Sequence, residues 1–282
     1  GDSAKSMLFL RNYAMERFLE RLSASKYRNC FILKGGMLIS AMVGIDSRAT
    51  MDIDTTLRNY SLNCESAEQI VRQIADVEID DKISFVIKKT EEIMEDSEYQ
   101  GVRLSLDAYL DKTRIPLKID ISTGDVITPC EISFSYQLMF ENRTIPLLAY
   151  PPETVLAEKL ETILSRGEAN TRLRDFYDVY ILQREDFVVT PDALCHALLA
   201  TCRKRGHEDL LHTYASILNE VRQSGAMRTQ WMKYQSDFDY AAGITWDTVL
   251  DTVETLCMKT LDDHAFGDEL PQEESQFEMH LL

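Results

Sequence analysis

The sequence predicts an α+β fold, with a mixed β-sheet flanked by helices in the first half of the chain and a mostly helical second half. Several segments before residue 150 alternate apolar and polar residues, as half-buried strands do. Beyond it, apolar residues recur every three or four positions, as in amphipathic helices, and Pro151-Pro152 separates the two patterns. We therefore expect one domain over residues 1–150, a helical domain over 151–262 that completes a cleft, and a flexible acidic tail over 263–282.

The first predicted element is an amphipathic helix from Ser3 to Leu22. Apolar residues recur there at helical spacing, and the charged residues Arg11, Glu16, Arg17 and Glu20 fall off that apolar stripe. This pattern is typical of a structural helix that covers a core with one face.

A strand, a glycine turn, a short helix and a second strand follow. The apolar run Cys30–Leu33 leads into Gly35-Gly36, and the second strand carries Asp52 and Asp54 and ends near Leu57. The same patterns then predict a helix at Glu65–Val77, strands at Ile83–Thr90, Val102–Leu110 and Ile115–Ile121, and a further strand or hairpin within Ser133–Ala149. In the second half they predict helices at Glu153–Arg166, Thr171–Leu182, Pro191–Arg205, Glu208–Gln223, Met227–Phe238 and Trp246–Leu261.

Charge and composition limit the classes of function. A formal net charge of −17 argues against broad non-specific binding to nucleic acid, and no recognition of DNA sequence is expected. No apolar run approaches the roughly 20 residues that span a bilayer, and the chain does not open with a signal segment, so we expect a cytoplasmic protein without a membrane partner. The six cysteines lack zinc-site spacing, which indicates reduced thiols.

The run from Lys34 to Asp54 contains the main candidate site. Gly35 and Gly36 permit positive φ and a close approach of the backbone to a ligand, and the helix behind them presents unpaired N–H groups that suit a phosphate. Asp52 and Asp54 are two residues apart on a strand, so both carboxylates point to one face. At about 6–7 Å they repel when ionised, and a divalent cation between them would remove that penalty.

A third carboxylate is expected from a neighbouring strand. In Leu117–Ile121 the apolar residues take one face, and Asp120 lies on the other. Asp120 is therefore the main candidate, with Asp125 and Asp107 as alternatives. An aspartate on the wet face of an antiparallel sheet would give the same pattern.

The helical half carries a second group of charged residues. Lys159 lies on the flank of the buried stripe of its predicted helix, from which its ammonium can extend into a cleft between the domains. On the next predicted helix Asp175 and Asp178 share a face, and Arg174 can reach Asp178 at i, i+4. A surface ion-pair network between two adjacent helices would explain the same residues.

These motifs resemble known families at two levels. The order of an apolar strand, Gly35-Gly36, a helix and Asp52-x-Asp54 resembles the nucleotidyltransferase superfamily that includes DNA polymerase beta. The wider pattern adds Lys34, Arg48-x-Thr50 and the later Lys159, and it is similar to the AbiEii/AbiGii abortive-infection toxins of bacterial toxin–antitoxin pairs. The motifs extend over about 150 residues and leave the last hundred unmatched.

The resemblance implies a nucleotidyltransferase that moves a nucleoside monophosphate from a nucleoside triphosphate to an acceptor, with Mg²⁺ or Mn²⁺ as cofactor. The implied metal ligands are Asp52, Asp54 and Asp120. The implied nucleotide-binding residues are Lys34, Gly35, Gly36, Ser40, Arg48, Thr50 and Lys159, and the implied catalytic residues are Asp52, Asp54, Asp120, Lys159 and Asp175. The expected acceptor is RNA at the 3′ end of tRNA, and the expected partner is a cognate antitoxin.

Individual roles within this set follow from the same resemblance. Lys159 would contact the triphosphate, and Asp175 would complete the site or orient Lys159. Asp178 would hold the helix pair together through an arginine. Arg48 and Thr50 would contact phosphate or fix their loop, with a loop salt bridge as the alternative for Arg48.

Two other functions agree with the same motifs. The acceptor could be a small molecule such as an aminoglycoside, or a protein side chain, and the strong acidity of the chain favours a cationic acceptor. A protein that kept the fold and lost catalysis would instead act by binding a partner through its helical half.

Overall fold

The computed structural model describes residues 2–95, 99–184 and 189–262. The predicted acidic tail, residues 263–282, lies outside the described residues. In the first half the elements are α1 (Asp2–Ala24), β1 (Phe31–Lys34), α2 (Gly35–Val43), β2 (Asp52–Leu57), α3 (Cys64–Ala75), β3 (Ile83–Glu95), β4 (Tyr99–Leu110), β5 (Thr113–Ser122), β6 (Ile132–Gln137) and β7 (Thr144–Ala149). In the second half they are α4 (Pro152–Arg166), α5 (Leu173–Leu182), α6 (Pro191–Arg205), α7 (Leu210–Gln223), α8 (Gly225–Asp237) and α9 (Trp246–Leu261). Within the described ranges no helix is long and apolar enough to cross a bilayer.

The described strands form one seven-stranded mixed sheet in the order β3-β4-β5-β2-β1-β7-β6. β2 pairs in parallel with β5, and β1 in parallel with β7, whereas the other neighbours are antiparallel. Helix α1 packs against β5 and β7, and α3 packs against β3 and β4. The predicted α+β fold, with a helix-flanked mixed sheet followed by helices, is confirmed.

Local sequence explains where the helices begin. Asn63 and Ser66 form a capping box at the start of α3, since each side chain bonds the backbone N–H of the other residue. Thr190 caps α6 in front of Pro191, whose fixed φ suits the first helical position. Thr245 caps α9 in the same way. The region Ser133–Ala149, left open between a strand and a hairpin, is the antiparallel hairpin β6–β7.

Helix α1 departs from the simple amphipathic pattern, because charged residues off its apolar stripe are buried. Glu16 and Arg17 form an ion pair of 2.7 Å whose side chains are each 2 % exposed. The turn of the β6–β7 hairpin covers this side of the helix, where Met139 N–H donates to Glu16 at 2.6 Å and Arg17 meets Glu141 at 2.7 Å. Burial raises the pKa of Glu16, although Arg17 and the Met139 N–H oppose that shift.

Arg17→Met tests the energetic weight of this buried pair. The substitution leaves the Glu16 carboxylate buried without its guanidinium, so we expect the free energy of unfolding to fall by about 3 kcal/mol or more. Urea denaturation measures the loss. The matched control is Arg58→Met, which removes a 2.5 Å pair with Glu131 at a far more exposed position and should cost less than about 1 kcal/mol. Equal losses in the two variants would contradict the role of burial.

Candidate active site

A cleft of about 290 Å³ lies between the polar face of the sheet and helices α4 to α6. It brings together residues from both halves of the chain. They are Lys34, Gly35, Gly36, Arg48, Thr50, Asp52, Asp54, Arg103, Asp120, Asp125, Val155, Glu158, Lys159, Thr162, Arg172, Arg174 and Arg205. Two predicted site residues are not in this lining. Ser40 is buried within α2, five residues after the helix begins, and Asp175 lies behind Lys159.

Four charged residues form a row across the centre of the sheet. Arg103 on β4 is the register partner of Asp120 on β5, Asp120 is the partner of Asp54 on β2, and Asp54 is the partner of Lys34 on β1. Side chains of register partners point to the same face of a sheet, with strands about 4.8 Å apart. The row therefore places two neighbouring carboxylates between two cations, and Asp52 lies beside it on the same face of β2.

The glycine turn is required by the residues beneath it. Gly35 has φ +63°, and a Cβ there would lie 2.2 Å from Asp54 Oδ2. A Cβ on Gly36 would lie 2.5 Å from Thr50 Oγ1, and the Gly36 N–H donates to Asp54 Oδ2 at 3.3 Å. The two glycines thus let the start of α2 come down onto Asp54 and Thr50.

Asp52 and Asp54 are held in an environment that disfavours their charge. Burial raises the pKa of both carboxyls, and the neighbouring Asp120 raises them further. Lys34 and the Gly36 N–H oppose this for Asp54, and Lys118 opposes it for Asp52. Hard oxygen donors that lack enough positive charge fit a divalent cation such as Mg²⁺.

The carboxylate of Asp120 is paired with an arginine of the neighbouring strand. Arg103 Nε lies 2.8 Å from one of its oxygens and Nη2 lies 2.6 Å from the other, a bidentate pair. Across the described ranges no three acidic, histidine or cysteine side chains are grouped so that they could hold a metal ion. In this conformation Asp120 lies beside Asp54, but both of its oxygens are engaged by Arg103.

The structure separates the two alternatives to Asp120. Asp125 lines the cleft, but its carboxylate accepts bonds from Thr56 and Ser122 at 2.6 Å and pairs with Lys34 at 3.1 Å. Burial would raise the pKa of Asp125, yet Lys34 and the two hydroxyls hold it below its usual value. Asp107 is not part of the lining and faces Arg114 at 3.7 Å.

The helical wall presents Lys159 between two buried carboxylates. Its Nζ lies 2.5 Å from Asp175 and 3.1 Å from Asp178. Burial alone would lower the pKa of Lys159, but the two aspartates raise it above its usual value, so the ammonium stays charged. Arg172 lies 2.8 Å from the second oxygen of Asp175. The two carboxylates of this network are buried and Lys159 is nearly so, unlike the surface ion-pair network considered as an alternative.

Asp178 does pair with an arginine, but Arg174 is not the one: the partner is Arg48, 130 residues away in sequence. Arg48 Nε and Nη2 donate to the two Asp178 oxygens at 2.6 and 3.2 Å, and Nη1 donates to the Ala49 carbonyl at 2.5 Å. Arg48 is 1 % exposed. Its guanidinium forms a buried salt bridge that ties the loop to α5, as the loop-salt-bridge alternative for Arg48 described. Arg174 instead lies over the Phe238 ring, 5.9 Å from its centroid. Helical spacing permits a pair between Arg174 and Asp178. The Asp178 carboxylate is buried, however, and it pairs with Arg48 from the first half of the chain.

Sequence reasoning assigned no site role to two charged residues of the cleft, Arg103 and Glu158, and it offered a third, Arg205, only as part of the candidate basic cluster Arg203-Lys204-Arg205. Arg103 stands in the alternating pattern of β4, but only the strand register reveals that it faces Asp120. Glu158 immediately precedes Lys159, and burial raises its pKa. Arg205 ends α6 and approaches Glu158 at 3.8 Å. Its membership in the cleft follows from the packing of α6 on α4, which the sequence does not disclose.

A glycine turn and paired strand aspartates that face a charged lysine across one cleft are typical of enzymes that act on phosphate groups. The family described as nucleotidyl transferase AbiEii toxin, type IV TA system, matches residues 17–252, and the chain belongs to this family. The protein is thus a nucleotidyltransferase, and membership implies a nucleoside triphosphate substrate, usually a divalent metal, and an antitoxin partner. The match includes most of the last hundred residues, which the sequence motifs left unmatched.

Other comparisons add less. No curated protein gives a significant match. A suspected nucleotidyltransferase from H. pylori aligns with 13% identity and a TM-score of 0.49, covering 91% of this chain and 97% of its own. JHP933 from Helicobacter pylori aligns with 14% identity and a TM-score of 0.47, covering 91% and 94%. An antigenic nucleotidyltransferase-like protein from Paracoccidioides brasiliensis aligns with 12% identity and a TM-score of 0.41, covering 84% and 92%. Identities and TM-scores this low do not show what this chain binds or which reaction it catalyses.

Gly35→Ala tests the contact between the glycine turn and Asp54. The added Cβ must displace the Asp54 carboxylate, so we expect kcat/KM to fall by roughly 100-fold or more. The control is Gly243→Ala, where φ is +78° and a Cβ would meet nothing within 4 Å. That variant should lose about 1–2 kcal/mol of stability to backbone strain and keep its activity. Full activity in Gly35→Ala would contradict the contact.

A double-mutant cycle tests the bond between the two halves of the molecule. Arg48→Gln and Asp178→Asn should each lower the free energy of unfolding by about 3–5 kcal/mol, because each leaves a buried charge without its main partner. The double variant should lose at least about 1 kcal/mol less than the sum, as measured by urea denaturation. The exposed pair Arg228–Asp247, at 2.7 Å, is the matched control and should show a coupling below about 1 kcal/mol. Additive losses at Arg48 and Asp178 would contradict a direct pair.

Proposed function

We propose that this protein is a metal-dependent toxin that transfers a nucleoside monophosphate from a nucleoside triphosphate to an RNA acceptor, the 3′ end of tRNA. The acceptor hydroxyl loses its proton to water and attacks the α-phosphorus, the bond between that phosphorus and the oxygen bridging to the β-phosphate breaks, and pyrophosphate leaves. The observation that carries the proposal is the row of Lys34, Asp54, Asp120 and Arg103 with Asp52 beside it, facing Lys159 across one cleft.

Each cleft residue has a role in this proposal. Asp52 and Asp54, with Asp120, hold a divalent ion, Mg²⁺ or Mn²⁺, which when bound would neutralise charge developing on the α-phosphoryl group. Gly35 and Gly36 open α2 toward the phosphates, and Lys159 contacts the triphosphate while Asp175 orients its ammonium. The remaining predicted contacts, Lys34 and Thr50, lie beside the glycines in the lining.

Arg48 and Ser40 have no direct part in the proposed chemistry. Arg48 holds its loop to α5 through Asp178, and Ser40 lies within α2 away from the lining. We further propose that residues 1–150 and 151–262 act as the two walls of the cleft, the first carrying the metal ligands and the second carrying Lys159.

The charge of the cleft favours a polyanionic acceptor. Its lining contains seven basic and five acidic side chains, although the whole chain carries a net charge of −17. Arg172, Arg174 and Arg205 lie on the helical wall, where they supply the local basic surface that an RNA end requires. The arginines of the helical wall suit RNA phosphates better than a cationic antibiotic, which supports RNA over the small-molecule alternative.

Labelled nucleotides test the activity and the acceptor together. The protein is incubated with each α-³²P-labelled nucleoside triphosphate and Mg²⁺, in parallel with total RNA, with tRNA alone, and with aminoglycosides. We expect label on tRNA and none on the antibiotics. The Asp52→Asn/Asp54→Asn variant keeps the shape of both side chains and should lower the rate by at least about a thousandfold, because it removes the charges that hold the ion.

Two outcomes would overturn this proposal. Label on an aminoglycoside or on protein, with none on RNA, would identify a different acceptor. Growth arrest that persists when the folded Asp52→Asn/Asp54→Asn variant is expressed would show that the cellular effect comes from binding a partner. The type IV antitoxin implied by the family is co-expressed in a parallel culture and should restore growth.

A further inference from the structure

Arg103 is a cleft residue to which the sequence motifs assign no role. Its two contacts with Asp120, at 2.8 and 2.6 Å, engage both carboxylate oxygens. Asp120 is 6 % exposed in a central strand, whereas the Arg103 side chain is 34 % exposed on the neighbouring strand. The arginine has a long side chain that reaches solvent, so it is the partner that can move.

Two cations, Arg103 and Lys34, compensate part of the charge of the cleft carboxylates without any added ion. Arg103 neutralises Asp120 at one end, and Lys34 approaches Asp54 and Asp125 at the other. An incoming divalent cation at Asp120 would have to compete with a guanidinium that already occupies both oxygens. Charge-assisted bidentate pairs of this kind are the stronger hydrogen bonds in proteins, so this competition is costly.

A triphosphate offers Arg103 a second anion of matching geometry. Guanidinium groups bind phosphate oxygens in the same bidentate manner as carboxylates, and Arg103 lines the cleft together with Lys159 on the opposite wall. If Arg103 turns to a phosphate, both oxygens of Asp120 become available beside those of Asp52 and Asp54.

We propose that Arg103 is a positioning residue that keeps Asp120 out of the metal set until a nucleoside triphosphate enters the cleft. This inference rests on the proposed function and concerns the order in which the same site is filled. Nucleotide affinity and metal affinity are then coupled through one side chain, and the coupling is reciprocal. The free protein then holds divalent cations weakly, because Arg103 engages both oxygens of Asp120 and leaves Asp52 and Asp54 as the available members of the described metal set.

Binding of Mn²⁺ to the nucleotide-free protein tests this inference. Free Mn²⁺ is titrated by electron paramagnetic resonance in the wild type, Arg103→Met and Arg114→Met. Arg114 is the matched control, because it is a 64 % exposed arginine on the same sheet and its loss changes the net charge equally. We expect Arg103→Met to bind Mn²⁺ roughly tenfold more tightly than Arg114→Met, and to bind metal-free nucleoside triphosphate more weakly than the wild type.

Several results would overturn the role proposed for Arg103. Equal Mn²⁺ affinity in Arg103→Met and Arg114→Met would overturn the inference, and so would a gain that persists when Asp52 and Asp54 are also changed to asparagine. If Arg103→Met does not fold, Arg103→Lys carries the test, since lysine keeps the charge and loses the bidentate contact. A smaller gain is then expected, and no gain is the contrary result. A wild type that transfers labelled nucleotide while the Arg103 variants show no gain leaves the proposed function standing and removes this inference alone.

Discussion

Two carboxylates held side by side in one sheet are the constraint on which the rest of the site depends. Asp54 and Asp120 are register partners on parallel strands, so their side chains share a face about 4.8 Å apart. Two ionised groups at that distance repel. Lys34 and Arg103, the next residues of the same row, lower this repulsion because they are cations. The position of Asp54 also explains the glycine turn, because only a residue without Cβ at position 35 leaves room for the Asp54 carboxylate.

The second wall of the cleft is held in place by largely buried charges. Asp178 binds Arg48 from the loop before β2 and Lys159 from α4, so one buried carboxylate joins the sheet half to the helical half. Burial would raise the pKa of Asp178, but these two cations hold it below its usual value, and all three groups stay charged. Removing any one of them leaves a buried charge uncompensated. Lys159 is thereby presented to the cleft in a fixed position.

Charge is distributed unevenly over this acidic chain. The net charge of −17 predicts little affinity for polyanions in general, yet basic side chains outnumber acidic ones around the cleft. A local group of basic side chains in an otherwise acidic chain gives a phosphate-bearing ligand one place to bind. The net charge of the sequence thus describes the outer surface and does not predict which charges line the cleft.

The sequence by itself determined the elements and the first half of the site. Alternation and helical spacing identified the strands and helices, and Gly35-Gly36 with Asp52 and Asp54 could be recognised because these residues are close in the chain and act through local geometry. Only the tertiary structure decided which strands are neighbours, and therefore that Arg103 faces Asp120. It also decided that Arg48 rather than Arg174 meets Asp178, and that Glu16 and Arg17 of α1 are buried under a hairpin. Strand register and helix packing depend on contacts between residues far apart in sequence, and a local pattern does not contain that information.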